Sequence, residues 1–321
     1  MTLSKLARLA NVAVSTASKA FSMSDDINEQ TREEIFRVAR ENGCFKKFFN
    51  AKYPKFVIAL ICPEVDSRHY SELCRYLQQR LQTRGCEICI SSTEFSAAAT
   101  ADMIEYYEKY SSADAIILID PPATVLPPHE TPIISLGSRA HNADVTLCLD
   151  YITALKSAVT GFKAAGISHI GFIGEPHTVT KLSAFKNAVS EIFGFTEEKY
   201  ISVSDLRFEK GGYAAARALY SRDALPEAII CAYDDMALGA MRFFHDNGIS
   251  VPDDIKVIGM DNILHSEYFV PSLSTIDYMN EEIAKTATES VFELLDGKTP
   301  AKIHNFSARL ITRESSQIYI I

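Results

Sequence analysis

From residue 56 onward, short apolar runs alternate with longer amphipathic stretches, and few architectures accept that rhythm. Phe56–Cys62, Glu87–Ser91, Ala115–Ile119, Ile133–Leu136, Thr146–Leu149, Ile170–Ile173, Ala228–Cys231 and Lys256–Met260 read as strands. Helical spacing fills the gaps between them, as over Tyr70–Arg84. Strands separated by helices imply parallel sheets covered on both faces, so the class is α/β. The 321 residues leave room for about two core-forming lobes plus a smaller head. Two hinged units of this kind hold a ligand at the carboxyl ends of their strands.

The segment before residue 54 follows a different pattern. Thr2 can cap a helix whose Leu3, Leu6, Ala7 and Ala10 form one apolar stripe. Asn11 suits a tight turn because asparagine tolerates positive φ. A second helix, about Val14 to Phe21, turns Ala17, Ala20 and Phe21 inward, small side chains where two helices cross. Its outer face carries Val14, Ser15, Thr16, Ser18 and Lys19. Hydroxyls bond phosphates or base edges, lysine supplies charge, and valine can rest on a thymine methyl. A third helix begins at the cap Asn28 and stops at Gly43. Such a small all-α helix-turn-helix is also compatible with an ordinary helical domain, and charge separates the two readings. Residues 1–52 carry nine Lys/Arg against six Asp/Glu, a net of +3, while the rest of the chain carries −12. A basic head on an acidic body expects only the head to meet a polyanion.

Composition is that of a soluble globular protein, with 47% hydrophobic and 23% charged residues. The chain opens directly into a capped helix, which reads as no signal peptide, and no run is long enough for a membrane span. The seven cysteines are odd in number and lie in apolar segments, the pattern of a reduced, cytoplasmic protein. Cys86 and Cys89 have C-x-x-C spacing inside a strand-like run with no second pair, so buried thiols are expected rather than a metal site.

The head resembles the lactose-repressor/galactose-repressor family of transcriptional regulators, whose N-terminus reads T-I-x-D-V-A-x-x-A-G-V-S-x-x-T-V-S-R-x-L-N. Thr2-Leu3-Ser4-Lys5-Leu6-Ala7, Ala10-Asn11-Val12-Ala13, Thr16-Ala17-Ser18-Lys19, Ser22 and Thr31-Arg32-Glu33 carry the resemblance. It extends over nearly the whole chain through Asp234-Asp235-Met236-Ala237-Leu238-Gly239, Val251-Pro252-Asp253-Asp254-Ile255, Gly259-Met260-Asp261-Asn262, Leu273-Ser274-Thr275-Ile276 and Arg313-Glu314-Ser315-Ser316. The resemblance implies a helix-turn-helix head and hinge over 1–53 and a two-lobed, periplasmic-binding-protein-like body over 54–321. Lobe 1 is expected at about 54–165 and 277–306, and lobe 2 at about 166–276 and 307–321, with crossings near 165, 276 and 306. It also implies a homodimer on a pseudo-palindromic DNA operator, no cofactor, and a small-molecule effector of carbohydrate type. Helix Tyr70–Arg84 and its neighbouring strand are the expected dimer interface.

Departures from the pattern are informative. Ala13 replaces a serine cap, at a cost of ~1 kcal/mol, and Lys19 replaces an arginine, giving up bidentate recognition of guanine. The usual hinge continues Y-x-P-N-x-x-A-x-x-L, whereas residues 44–53 run Cys44 to Tyr53 without a Pro-Asn pair. Phe48, Phe49 or Tyr53 could be a minor-groove wedge; equally, the segment could be a plain linker with aromatics packed on the third helix. A chain with such a hinge could also be a sugar-binding protein that no longer grips an operator, and salt-dependent binding to duplex DNA separates these readings.

Residues after strand ends are candidates for the effector: Asp66, Arg68 and Tyr70 after the first strand, Asp150 after Thr146–Leu149, and Asp261 after Lys256–Met260. By resemblance, effector contacts fall at Asp150, Lys181, Tyr233 and Asp261, with Lys181 in place of an arginine and Tyr233 in place of a frequent asparagine. Arg207 falls near a position where an aromatic often covers the sugar. Arg68, Lys181 and Arg207 allow an anionic ligand; if they pair with neighbouring carboxylates, a neutral sugar is expected. No G-x-G-x-x-G or phosphate-loop motif occurs, and the histidines suggest no nucleophile-base pair. An enzyme is not expected.

Overall fold

The computed structural model describes residues 2–48, 56–122, 125–137, 140 and 142–318. Local signals set the N-terminal helices. The Thr2 hydroxyl accepts from Lys5 N at 3.3 Å and caps α1 (Leu3–Leu9). Asn11 takes φ +52° in the turn that follows. Helix α2 (Val14–Phe21) starts after Ala13, which gives no side-chain cap, so its first turn lacks one acceptor. Asn28 caps α3 (Glu29–Glu41) by accepting from Thr31 N at 2.8 Å, and Gly43 at φ +64° closes it. A short turn, α4 (Phe45–Phe48), comes next. Leu6, Ala20, Phe21, Ile35 and Ala39 form the core of this head, with Phe36, Phe45 and Phe48 packed against it.

The chain divides into two compact units. The first comprises Met1–Glu64, Cys74–Thr146 and Lys285–Lys302; the second comprises Val65–Leu73, Leu147–Ala284 and Ile303–Ile321. In chain order after the head come β1 (Phe56–Cys62), α5 (Arg68–Gln82), β2 (Cys86–Ser92), α6 (Ala97–Lys109), β3 (Ala115–Ile119), β4 (Ile133–Gly137) and β5 (Val145–Asp150). With β11 (Ile303–Ser307) they form a sheet of order β11-β5-β4-β3-β1-β2. β1 runs parallel to β2 and β3, and β3 parallel to β4. Every residue of β3 is buried, as a central strand covered on both faces requires.

The second sheet is ordered β12-β10-β9-β8-β6-β7. Its elements are α7 (Ile152–Ala164), β6 (Ile170–Gly174), α8 (Val179–Phe193), β7 (Ile201–Val203), α9 (Phe208–Ser221), β8 (Ala228–Cys231), α10 (Asp234–Asp246), β9 (Lys256–Asp261), α11 (Leu264–Tyr268), β10 (Ser274–Asp277), α12 (Asn280–Leu295) and β12 (Arg309–Ile311). All pairings resolved between β6 and β10 are parallel, and β12 closes the edge antiparallel to β10. Phe162, Phe172, Phe185 and Phe244 fill the core with no exposed surface.

Two close approaches fix this unit. A Cβ on Gly239 would stand 2.0 Å from the Glu209 carbonyl oxygen, and one on Gly212 would stand 1.9 Å from that of Met236. Helices α9 and α10 therefore cross at backbone distance, which only glycine permits. On β9, a Cβ at Gly259 would lie 2.1 Å from Asp234 Oδ1, so that glycine makes room for a buried carboxyl.

The compact units divide at 146/147, 284/285 and 302/303, while the first sheet itself keeps β5 to Asp150 and β11 to Ser307; the resemblance implies crossings near 165, 276 and 306. Leu155, Val159 and Phe162 of α7 belong to the second unit's core, and so does Tyr278. Burial of those side chains places α7 and Tyr278 with the second unit's core. Residues 65–73 also group with it, because Arg68 pairs with side chains on α9 and α10.

Candidate DNA-reading face and effector site

On α2, Ala17, Ala20 and Phe21 are buried, at 0%, 0% and 2% exposure. The opposite face is open: Val14, Ser15, Ser18 and Lys19 are exposed and Thr16 is half-buried. Thr2 is exposed as well, with its hydroxyl committed to capping α1. Lys19 Nζ reaches Asp26 Oδ2 at 2.8 Å. Of the wedge candidates, Phe48 packs its ring 5.6 Å from Phe21 and belongs to the head core rather than standing free. Phe49 and Tyr53 lie outside the described residues.

At the carboxyl ends of β6, β8, β9 and β10 a polar cluster gathers in the second unit. Lys181, on the first turn of α8, donates to the Ala232 carbonyl at 2.8 Å and sits 3.6 Å from Asp261 Oδ1. Its ammonium lies 5.2 Å from the Tyr278 ring centroid and 6.0 Å from that of Tyr233. Asp261 is 7% exposed, and its Oδ1 accepts no hydrogen bond. The residue holds φ +111°, a sparsely populated conformation costing about 1–3 kcal/mol that a side chain aimed at a ligand can justify. An unbonded acceptor beside a cation is chemically able to accept a hydrogen bond from a hydroxyl.

Tyr233 accepts from Phe208 N at 3.0 Å, and burial pushes its phenol up to about 12, so it stays protonated and can donate. Arg207 Nε lies 3.7 Å from Glu175 Oε1, and its guanidinium covers Phe208 at 4.7 Å. Glu175 is 2% exposed and also accepts from His177 N at 2.9 Å. Beneath the cluster, Asp234 is fully buried, accepting from Ser266 and Thr275 hydroxyls at 2.6 Å each and from Ile263 N at 3.0 Å. Burial, and then the nearby Asp261 charge, push its carboxyl up to about 8. At neutral pH Asp234 is therefore largely protonated.

The remaining candidates are dispersed. Arg68 pairs with Asp235 on α10 and with Glu209 Oε1 at 2.6 Å on α9. Asp150 acts as a cap for α7, accepting from Ile152 N at 2.9 Å and the Thr153 hydroxyl at 2.6 Å; that hydroxyl holds its carboxyl below the usual range. Asp66 is exposed, and Tyr70 is half-buried against His69. Glu175 and Tyr278 were missed from sequence, although each directly follows a strand end, the same rule that found Asp261. A cavity of about 750 Å³ in this unit opens elsewhere, among Arg68, Glu209, Tyr213, His265 and Phe269. Among the described residues, no group of three or more His, Cys, Asp or Glu is placed to hold a metal ion, and no helix is long and apolar enough to cross a membrane.

A helix-turn-helix with an open polar face, followed by two mostly parallel sheets of which the second carries a polar cluster at its strand ends, is the arrangement of DNA-binding regulators with a ligand-sensing body. Residues 159–316 match the family model of a periplasmic binding protein-like domain. The HTH-type transcriptional regulator AscG of Escherichia coli strain K12 is 24% identical over 330 residues, 98% of each chain. The crystal structure of the E. coli transcriptional repressor ascG superposes with a TM-score of 0.70 at 25% identity, over 81% of this chain and 98% of that one. The lac repressor dimer bound to operator and the anti-inducer ONPF shares the fold at TM-score 0.72 and 18% identity, over 98% and 99% of the two chains. Over nearly its whole length the chain is similar to transcriptional regulators of the lactose-repressor/galactose-repressor family, and it is a DNA-binding transcriptional regulator. Members of that family are transcriptional regulators, not enzymes.

Proposed function

We propose that this regulator acts as a cytoplasmic homodimer, without catalytic activity or cofactor, that reads a pseudo-palindromic operator and is switched by a neutral carbohydrate or derivative. Val14, Ser15, Thr16, Ser18 and Lys19 form the base- and phosphate-facing surface, with Thr2 at the head's edge. Two heads on a two-fold site give the contact area one head lacks. Pairing through α5 and the edge strand β2, whose Ile90 is exposed, remains the preferred interface.

The observation that carries the effector reading is Asp261, a buried carboxylate with an oxygen accepting no hydrogen bond. Lys181, Tyr233, Glu175 and Arg207 surround the same strand ends, with Asp66, Arg68, Tyr70 and Asp150 as outlying members. The cations favour a neutral ligand because each already faces a carboxylate: Lys181 faces Asp261, Arg207 faces Glu175, and Arg68 faces Asp235 and Glu209. Paired hydroxyls of a polyol suit an acceptor carboxylate and a donor phenol, and flat sugar faces suit the tyrosine rings. Calorimetric titration with a neutral sugar and its matched uronate and phosphate tests this. The neutral member is expected to bind tightest, with Asp261→Asn weakening it about 10- to 100-fold. Preference for the anion, lost in Lys181→Ala, would overturn the neutral assignment.

A further inference from the structure

The reading face of α2 carries one lysine, and that lysine is already engaged. Lys19 Nζ lies 2.8 Å from Asp26 Oδ2, with the two side chains 49% and 67% exposed. An exposed pair of this kind adds little stability, so its presence on the DNA-facing side calls for another explanation. The loop between α2 and α3 is built to keep it there. Ser24 N donates to the Lys19 carbonyl at 3.0 Å, tying the loop to the last turn of α2. Arg32 Nη2, from α3, donates to the Ser24 carbonyl at 2.7 Å and the Ile27 carbonyl at 3.2 Å, one on each side of Asp26. Asp26 N is held by the Ser24 hydroxyl at 3.4 Å. The contact with Lys19 keeps the Asp26 carboxyl below its usual range, so it is charged wherever the protein meets DNA.

We propose that Asp26 is an electrostatic brake on the head: it cancels the Lys19 charge and lowers sequence-independent affinity for the DNA backbone, leaving discrimination to base contacts. A phosphate oxygen bonded to Lys19 Nζ comes within about 5–6 Å of the Asp26 carboxylate. Like-charge repulsion at that range, in a medium between water and half its dielectric constant, changes binding roughly 3- to 10-fold per head. Lys19 and Asp26 together displace no net counterion, whereas an uncompensated Lys19 displaces about one. A head with the brake has less to gain from random sequence, so the ratio of operator to background binding rises even though absolute affinity falls.

The inference rests on the assignment of Lys19 to the DNA-facing side, and the experiment separates the two. Full-length wild type, Asp26→Asn, Lys19→Ala and the double variant are titrated by fluorescence anisotropy onto a labelled mixed-sequence duplex over a series of KCl concentrations. Both side chains are exposed, and circular dichroism checks that all four chains keep their helix content. Asp26→Asn is expected to bind about 3- to 10-fold tighter per head at low salt, with the log–log salt slope steeper by about 0.9 per head. Lys19→Ala is expected to weaken binding by a similar factor, and the double variant to return close to wild type. Asp26→Asn that binds no tighter, with unchanged slope while Lys19→Ala weakens binding, refutes the brake and keeps the reading face. If Lys19→Ala also changes nothing, the reading face is misassigned and the brake falls with it.

Discussion

Replacing Asp234 by asparagine should change how the protein's stability responds to pH, in a direction opposite to that of ordinary surface carboxylates. The carboxyl sits at about 8 in the folded chain against an ordinary 3.8, because it is fully buried and near the charge of Asp261. Between those values the native state holds a proton that the unfolded chain has released. Stability contributed by this group is therefore complete below about pH 4, falls as pH rises, and is gone above about pH 8. The steepest possible fall is about 1.4 kcal/mol per pH unit, or no more than about 4 kcal/mol from pH 5 to pH 8. Donors at Ser266, Thr275 and Ile263 favour the ionised form, and the carboxyl sits at about 8 in spite of them. Asparagine keeps the shape and one acceptor but has no proton to lose. Urea unfolding followed by circular dichroism at about pH 5, 6, 7 and 8 gives the stability difference between variant and wild type. That difference should move steadily in the variant's favour with rising pH. A difference that stays flat over this range, or moves the other way, refutes the assignment of a proton to Asp234.

Gly239→Ala places a methyl 2.0 Å from a backbone carbonyl and should cost roughly 3 kcal/mol by forcing α9 and α10 apart, read as a lower urea midpoint. Phe48→Ala should loosen the head by about 1–2 kcal/mol, seen as faster amide exchange in α2 and α3; unchanged exchange with weaker DNA binding would restore the wedge reading. All seven cysteines are free and six are buried, so thiol reagent should titrate seven groups only after unfolding, without reductant.

The parts of the fold that were legible in the sequence are those decided within a few residues. The caps at Thr2 and Asn28, the turn at Asn11 and the stop at Gly43 are backbone problems that a neighbouring side chain or a single φ angle solves. Eight strands were equally readable, since a continuous apolar run can satisfy a fully covered sheet, whereas β7, β10, β11 and β12, three to five residues each, carry no such run and were missed. The unit to which α7 belongs was not readable: its apolar face says that it packs on a sheet, not on which one. The site divides in the same way. Asp261 could be found because it ends a strand, but Arg68 meets partners more than 140 residues away, and no local pattern announces Asp235 or Glu209. Asp150 was chosen for its position at a strand end, and the helix that starts beside it takes both of its oxygens.

The chain has no tryptophan and fourteen tyrosines, and two of those rings, Tyr233 and Tyr278, face the ammonium of Lys181. Near-ultraviolet absorption is thus carried by phenols, and two of the buried ones sit in the field of a single movable charge. Any ligand that draws Lys181 toward itself, or slides between it and the rings, shifts that field and hence the tyrosine bands. If the proposed sugar binds at this site, its arrival at Lys181 is expected to appear as a difference spectrum before any DNA is present.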